Sequence, residues 1–171
     1  AQQEGSNASL IRAVQDIISS CTFNKLDPKK LPTFDIEYVF LQLRSKSVGE
    51  VATITVLCPD DEETKVKVDV NLSEIQCVTE EGHNNKIEIT DGVGIIFDYP
   101  KIDNVLKADK GNDATATFEV IKSCVNQIYD ATNVFTRNDT EEKDLDEFIE
   151  SMTHEQFLKV QSFFETMPKV K

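Results

Sequence analysis

A chain of 171 residues, 39% apolar and 29% charged, is long enough to bury a sizeable core, and six glycines and five prolines exclude a low-complexity sequence. Eighteen basic against 31 acidic residues leave a net charge of −13, a balance that repels nucleic acid and anionic membrane surfaces. That charge keeps the chain soluble or offers an acidic surface to a basic protein partner. No segment approaches the ~18–20 consecutive apolar residues that span a bilayer. Ala1 to Ser9 carries neither the basic nor the apolar region of a secretory leader. These features predict an intracellular protein, or one packaged into a particle made inside a cell, so the sequons at Asn7, Asn71 and Asn138 are chance matches. Cys21, Cys58, Cys77 and Cys124 are widely spread with no CxxC pair, which predicts free thiols.

Leu10, Val14, Ile17, Ile18 and Cys21 form a helical stripe. Asn7 or Ser9 is a suitable cap for its start, and the Asp27–Pro28 step cannot continue it. A second helix is predicted from about Thr33 to Ser47, stopping at Gly49. From Val51 the period changes to two: Ile54, Val56 and Cys58 alternate with Thr53 and Thr55. After a turn at Cys58–Glu63, Val66, Val68 and Val70 alternate with Lys65, Lys67 and Asp69. Further short strands fit Ile75–Thr79, Lys86–Thr90 and Val93–Tyr99, with turn chemistry at Glu81–Asn85 and Asp91–Gly92. The stretch reads as an antiparallel meander with one polar and one buried face.

Pro100 to Asn112 is expected to be a loop, after which helical periodicity returns. Ile121, Cys124, Val125 and Ile128 make one stripe, and Leu145, Phe148, Ile149 and Met152 another. Thr153-His154-Glu155-Gln156 is a capping-box sequence opening a last helix with Phe157, Val160, Phe163, Phe164 and Met167, which Pro168 ends. The layout predicts an α+β protein: an antiparallel β-meander of about five strands flanked by N-terminal and C-terminal helices. A single domain over residues 1–171 is expected, with helices in 8–47, sheet in 50–100 and helices in 113–167.

Reactive chemistry is sparse. His83 sits in a Gly/Asn turn and His154 at a helix start, both ordinary places for exposed polar residues. No nucleophile elbow, phosphate loop, dinucleotide fingerprint or HExxH motif is present. Cys58, Cys77 and His83 could be imagined as zinc ligands. Asp60 or Asp61 stands where the second cysteine of a knuckle belongs, and cysteines on the inner face of a strand are more often small core residues. The run Asn138–Glu150 is rich in Asp and Glu but lacks the glycine of a calcium loop. It reads as an acidic first turn followed by a solvated helix face. No metal, cofactor, small-molecule ligand or enzymatic activity is therefore expected.

Whole phrases carry more information. The segment Leu31–Glu50 (LPTFDIEYVFLQLRSKSVGE) resembles the baseplate hub subunit family of T-even-type contractile-tailed bacteriophages. Ile17–Cys21, the Cys58–Pro59 turn and Glu81–Ile87 fall in the expected order, and Ile128–Asp130, Glu147–Glu150 and Phe163–Pro168 resemble the same family. That family is expected to extend beyond both ends of this chain, with a cysteine-pair segment after the closing Met-Pro. The lack of a second cysteine after Cys58 weakens any metal role relatives have. The resemblance implies a structural or assembly subunit of a phage tail baseplate hub, acting through protein–protein contacts. Its partners would be other baseplate hub or tail proteins, without nucleic acid or membrane. Its location would be the host cytoplasm during assembly, and the virion baseplate if it is retained. Two other classes stay open: an acidic nucleic-acid mimic, for which only Asn138–Glu150 offers suitable carboxylates, and a small enzyme of unrecognised type.

The second helix is the expected site. At roughly 100° per residue, Ile36, Val39, Phe40 and Leu43 fall on one face, and Phe34, Tyr38 and Leu41 nearly opposite. Asp35 with Gln42 and Glu37 with Arg44 form the seams. A helix apolar on two sides is buried between layers. Either the C-terminal helices, with Phe157, Phe163 and Phe164, cover the second face, or Phe34, Tyr38 and Leu41 dock a hub partner.

Overall fold

The computed structural model describes residues 2–108 and 113–171, with side chains described in 8–105 and 116–171. In chain order the elements are α1 (Gln2–Cys21), α2 (Thr33–Val48), β1 (Val51–Leu57), β2 (Lys65–Asn71), β3 (Cys77–Val78), β4 (Lys86–Thr90), β5 (Val93–Phe97), α3 (Ile102–Ala108), α4 (Asp113–Cys124), β6 (Val125–Tyr129), β7 (Val134–Thr136), α5 (Glu142–Glu150), α6 (His154–Thr166) and β8 (Lys169–Val170). Helices flank antiparallel strands, and the α+β class read from the sequence stands. Among the described residues, no helix is long and apolar enough to cross a membrane.

The chain divides into two compact units. One holds the residues up to Pro28, Phe34–Val78 and Lys169–Lys171; the other holds Lys29–Thr33 and Thr79–Pro168.

In the first unit, α1 already runs helically from Gln2, so Asn7 and Ser9 lie inside it and cap nothing. Its far end closes as a Schellman motif: Asn24 N–H donates to Ser19 C=O at 2.8 Å and Phe23 N–H to Ser20 C=O at 3.2 Å. The position that needs positive φ is filled by Phe23, at φ 54°. Helix α2 ends before Gly49, whose φ of 137° is open to a residue without Cβ. Strands β1 and β2 pair with Ile54 opposite Val68 and Val56 opposite Val66. β3 is shorter than the expected Ile75–Thr79 and pairs with β8.

The second unit is built on a four-stranded antiparallel sheet in the order β4-β5-β6-β7. Asp91–Gly92 makes the β4–β5 turn as expected, with Gly92 at φ 77°. Two expectations fail here. Val125–Tyr129 was read as the continuation of a helical stripe, but α4 stops at Cys124 and the chain enters the sheet directly, between β5 and β7. Hydrogen bonding on both edges outweighs a four-residue period match. The loop expected over Pro100–Asn112 contains α3; positions 109–112 lie outside the described residues. The expected meander over 51–99 is thus divided: β1 and β2 form their own hairpin, and the longer meander recruits β6 and β7.

The core of this unit joins Ile95 and Phe97 of the sheet to Ile121 and Cys124 of α4, Leu145 and Ile149 of α5, and Val160 and Phe163 of α6. The capping box read at Thr153 is present. Gln156 N–H donates to Thr153 Oγ1 at 3.3 Å, and Thr153 N–H to Gln156 Oε1 at 2.8 Å.

Candidate interaction surface

Helix α2 is apolar on two sides because its sequence never returns to a polar stripe, and its burial follows. Phe34 and Ile36, two residues apart and so on different faces, are both buried. Tyr38, Val39, Phe40, Leu41 and Leu43 are half-buried. Of the three residues expected on the docking face, the structure therefore buries Phe34 and leaves Tyr38 and Leu41 partly accessible. Burial also raises the Asp35 carboxyl above the usual carboxylate range. Sequence reasoning missed the polar end of this helix. Ser45 is buried, and among the described residues its hydroxyl and an Arg44 guanidinium nitrogen lack hydrogen-bond partners, as does the Gln15 side-chain nitrogen of α1. Nothing in the residue types marks these positions, because only packing decides which polar atoms lose water.

The β1–β2 hairpin departs from expectation in a different way. Its alternation is correct, but its apolar face is not inside: Ile54, Val56, Val66 and Val68 are all exposed. On the opposite face the Thr53 hydroxyl donates to Asp69 at 2.7 Å. The turn is held by Asp61, whose carboxylate accepts from Thr64 N–H at 2.9 Å, Glu63 N–H at 3.1 Å and the Thr64 hydroxyl. The Thr64 hydroxyl and these backbone donors hold Asp61 below the usual carboxylate range.

In the second unit His83 is not the exposed turn residue expected. It is half-buried, with Nδ1 2.9 Å from the Thr166 hydroxyl and Nε2 3.0 Å from the Tyr99 hydroxyl. Its ring stacks on Tyr99 and on Phe163, and Phe163 stacks on Phe97 at 5.0 Å. With both ring nitrogens facing hydroxyls and its ring in a three-ring cluster with Tyr99 and Phe163, His83 organises packing. Burial raises the Tyr99 hydroxyl above its ordinary value. A groove of about 430 Å³ between α4 and α6 is lined by Thr117, Val120, Ile121, Phe157, Gln161 and Phe164.

The imagined zinc ligands do not form a group. Cys58 is half-buried and Cys77 exposed, while both His83 nitrogens face hydroxyls. Among the described residues, no group of three or more His, Cys, Asp or Glu side chains is placed to hold a metal ion. Cys77 is thus not the small core residue expected, because β3 is too short to have an inner face; Cys124 is, and burial pushes its thiol up to about 11. The acidic run is partly engaged: Glu142 and Asp146 of α5 reach Lys122 at 3.7 and 2.9 Å.

These surfaces offer apolar area and carboxylates, a combination suited to binding another protein. The family model described as T4 bacteriophage base plate protein matches residues 1–171. The chain belongs to that family. A search of curated proteins and a search of solved structures each return no match. Membership agrees with the resemblance carried by Leu31–Glu50. A baseplate protein works inside an assembly of other tail proteins, and in this one α2 is only half-covered and the β1–β2 hairpin exposes its apolar face.

Proposed function

We propose that this baseplate protein is a structural or assembly subunit of the central hub, acting through protein–protein contacts and without catalysis. The observation that carries the reading is the family match over the whole chain. Phe34 is buried, and Tyr38 and Leu41 continue the same face outward as the docking surface for another hub or tail protein. Tyr is enriched in such contacts because its ring supplies apolar area and its hydroxyl a polar tip. The net charge of −13 favours a basic partner and keeps copies of the chain apart before assembly. Assembly takes place in the host cytoplasm, and the completed baseplate is the place of action.

Tyr38→Asp combined with Leu41→Glu tests this. The expected result is a chain with native circular dichroism that is no longer incorporated into baseplates. Loss of the helical signal would instead assign this face to the interior of the unit. Native folding with normal incorporation would remove α2 from the docking surface.

A further inference from the structure

Among the described residues the β1–β2 hairpin is a two-stranded sheet with both edges unpaired, and its two edges differ in a way that bears on assembly. The ladder can be phased from its ends. Leu72 N–H donates to Glu50 C=O at 2.7 Å, and Cys58 N–H to Thr64 C=O at 2.8 Å. In an antiparallel pair such hydrogen-bonded positions recur every second residue. Ala52, Ile54 and Val56 therefore turn their backbone groups toward β2, and Val51, Thr53, Thr55 and Leu57 turn theirs away. Among the described residues, no backbone hydrogen bond reaches those outward groups.

The outward positions of β2 are Lys65, Lys67, Asp69 and Asn71, and charged side chains there discourage a further strand. The outward positions of β1 carry no charge and are β-branched or aliphatic, the chemistry that accepts one. A strand added along β1 also widens the exposed apolar face of Ile54, Val56, Val66 and Val68. It also gives a third strand to a hairpin that is marginally stable by itself.

We propose that β1 is a strand-addition site for a segment of another baseplate protein. The segment alternates apolar with small polar residues and carries Lys or Arg at its leading end. The charge follows from the turn beside β1, where Asp60, Asp61, Glu62 and Glu63 stand consecutively and exposed. A strand antiparallel to β1 enters at Leu57, so its N-terminal end passes those carboxylates. A second copy of this chain is disfavoured, since each brings its own charge of −13. The inference rests on baseplate membership but not on the docking role of α2, and its variants leave α2 intact.

Proline at Thr53 or Thr55 removes an N–H that β2 does not use, so the hairpin tolerates it while strand addition is blocked. Thr55→Val keeps the N–H and serves as control. The expected result is that Thr53→Pro and Thr55→Pro melt within a few degrees of the parent chain but are incorporated into baseplates at least tenfold less, whereas Thr55→Val is incorporated normally. Normal incorporation of both folded proline variants would overturn the proposal. A direct probe decides the matter if those variants misfold. A synthetic peptide, KKTVTVTVT, should slow amide exchange at Thr53 and Thr55 at least tenfold, and its backbone N-methylated form should not. Unchanged exchange, or a purified chain that dimerises through β1, would equally overturn it.

Discussion

Lys122 Nζ lies 2.9 Å from Asp146 Oδ1 and 3.0 Å from Glu119 Oε1, on a residue only 8% exposed. The ammonium tethers the first turns of α5 to α4 and gathers acidic side chains that would otherwise repel one another. Burial alone would lower its pKa; the hydrogen bonds it donates to Asp146 and Glu119 outweigh that and raise it. Because the folded value is raised, the contribution is complete below the ordinary lysine value of 10.5 and is lost as pH climbs through the folded one. Lys122→Met keeps the apolar stem and deletes the charge. It is expected to cost about 1.5 kcal/mol in urea unfolding at neutral pH and to remove the alkaline fall in stability.

Asp130 is the acid-side counterpart. Its carboxylate accepts from Thr132 N–H and Asn133 N–H, both at 2.7 Å, and closes the β6–β7 turn. Those donors, with the Thr132 and Asn133 side chains, hold it down at about 2. A depressed carboxyl contributes above its unfolded value and loses that contribution as pH falls through the folded one. Amide exchange at Thr132 and Asn133 is therefore expected to accelerate as pH falls from 3.8 toward about 2, beyond the trend of other turns. Asp130→Asn should abolish that pH dependence.

Phe23 occupies a left-handed position at φ 54° with its ring 84% exposed, so it bears the steric penalty of a Cβ there without the return of burial. Phe23→Gly is expected to stabilise the chain by about 1 kcal/mol, read as a higher thermal midpoint, and Phe23→Asn by less. A lower midpoint for the glycine variant would show that the ring packs.

We propose that residues 1–171 unfold as one domain although they form two units. Neither unit is a continuous segment: the chain passes between them at 28/29, 33/34, 78/79 and 168/169. Melting either unit releases loop constraints on the other. Circular dichroism and tyrosine fluorescence should give coincident transitions, and a proteolytic nick at Asp60–Glu63 should leave the pieces associated. Two separated transitions would sink the idea.

Local chemistry alone sufficed for much of this protein. The break of α2 at Gly49, the Asp91–Gly92 turn and the Thr153–Gln156 box depend on neighbours a few residues apart, and each formed as read. The two apolar faces of α2 were equally legible, because periodicity is a property of the segment. Val125–Tyr129 was not, since a short run with both periods takes its state from whichever partner supplies hydrogen bonds, and β5 and β7 supplied them. Alternation could show that Ile54, Val56, Val66 and Val68 share a face but not whether anything covers it. Likewise, residue type could mark His83 as polar but not place its nitrogens against two hydroxyls and its ring beside Tyr99 and Phe163. Burial is a relation between segments distant in sequence, so the tertiary structure alone decided which faces were spent on the core and which stayed exposed.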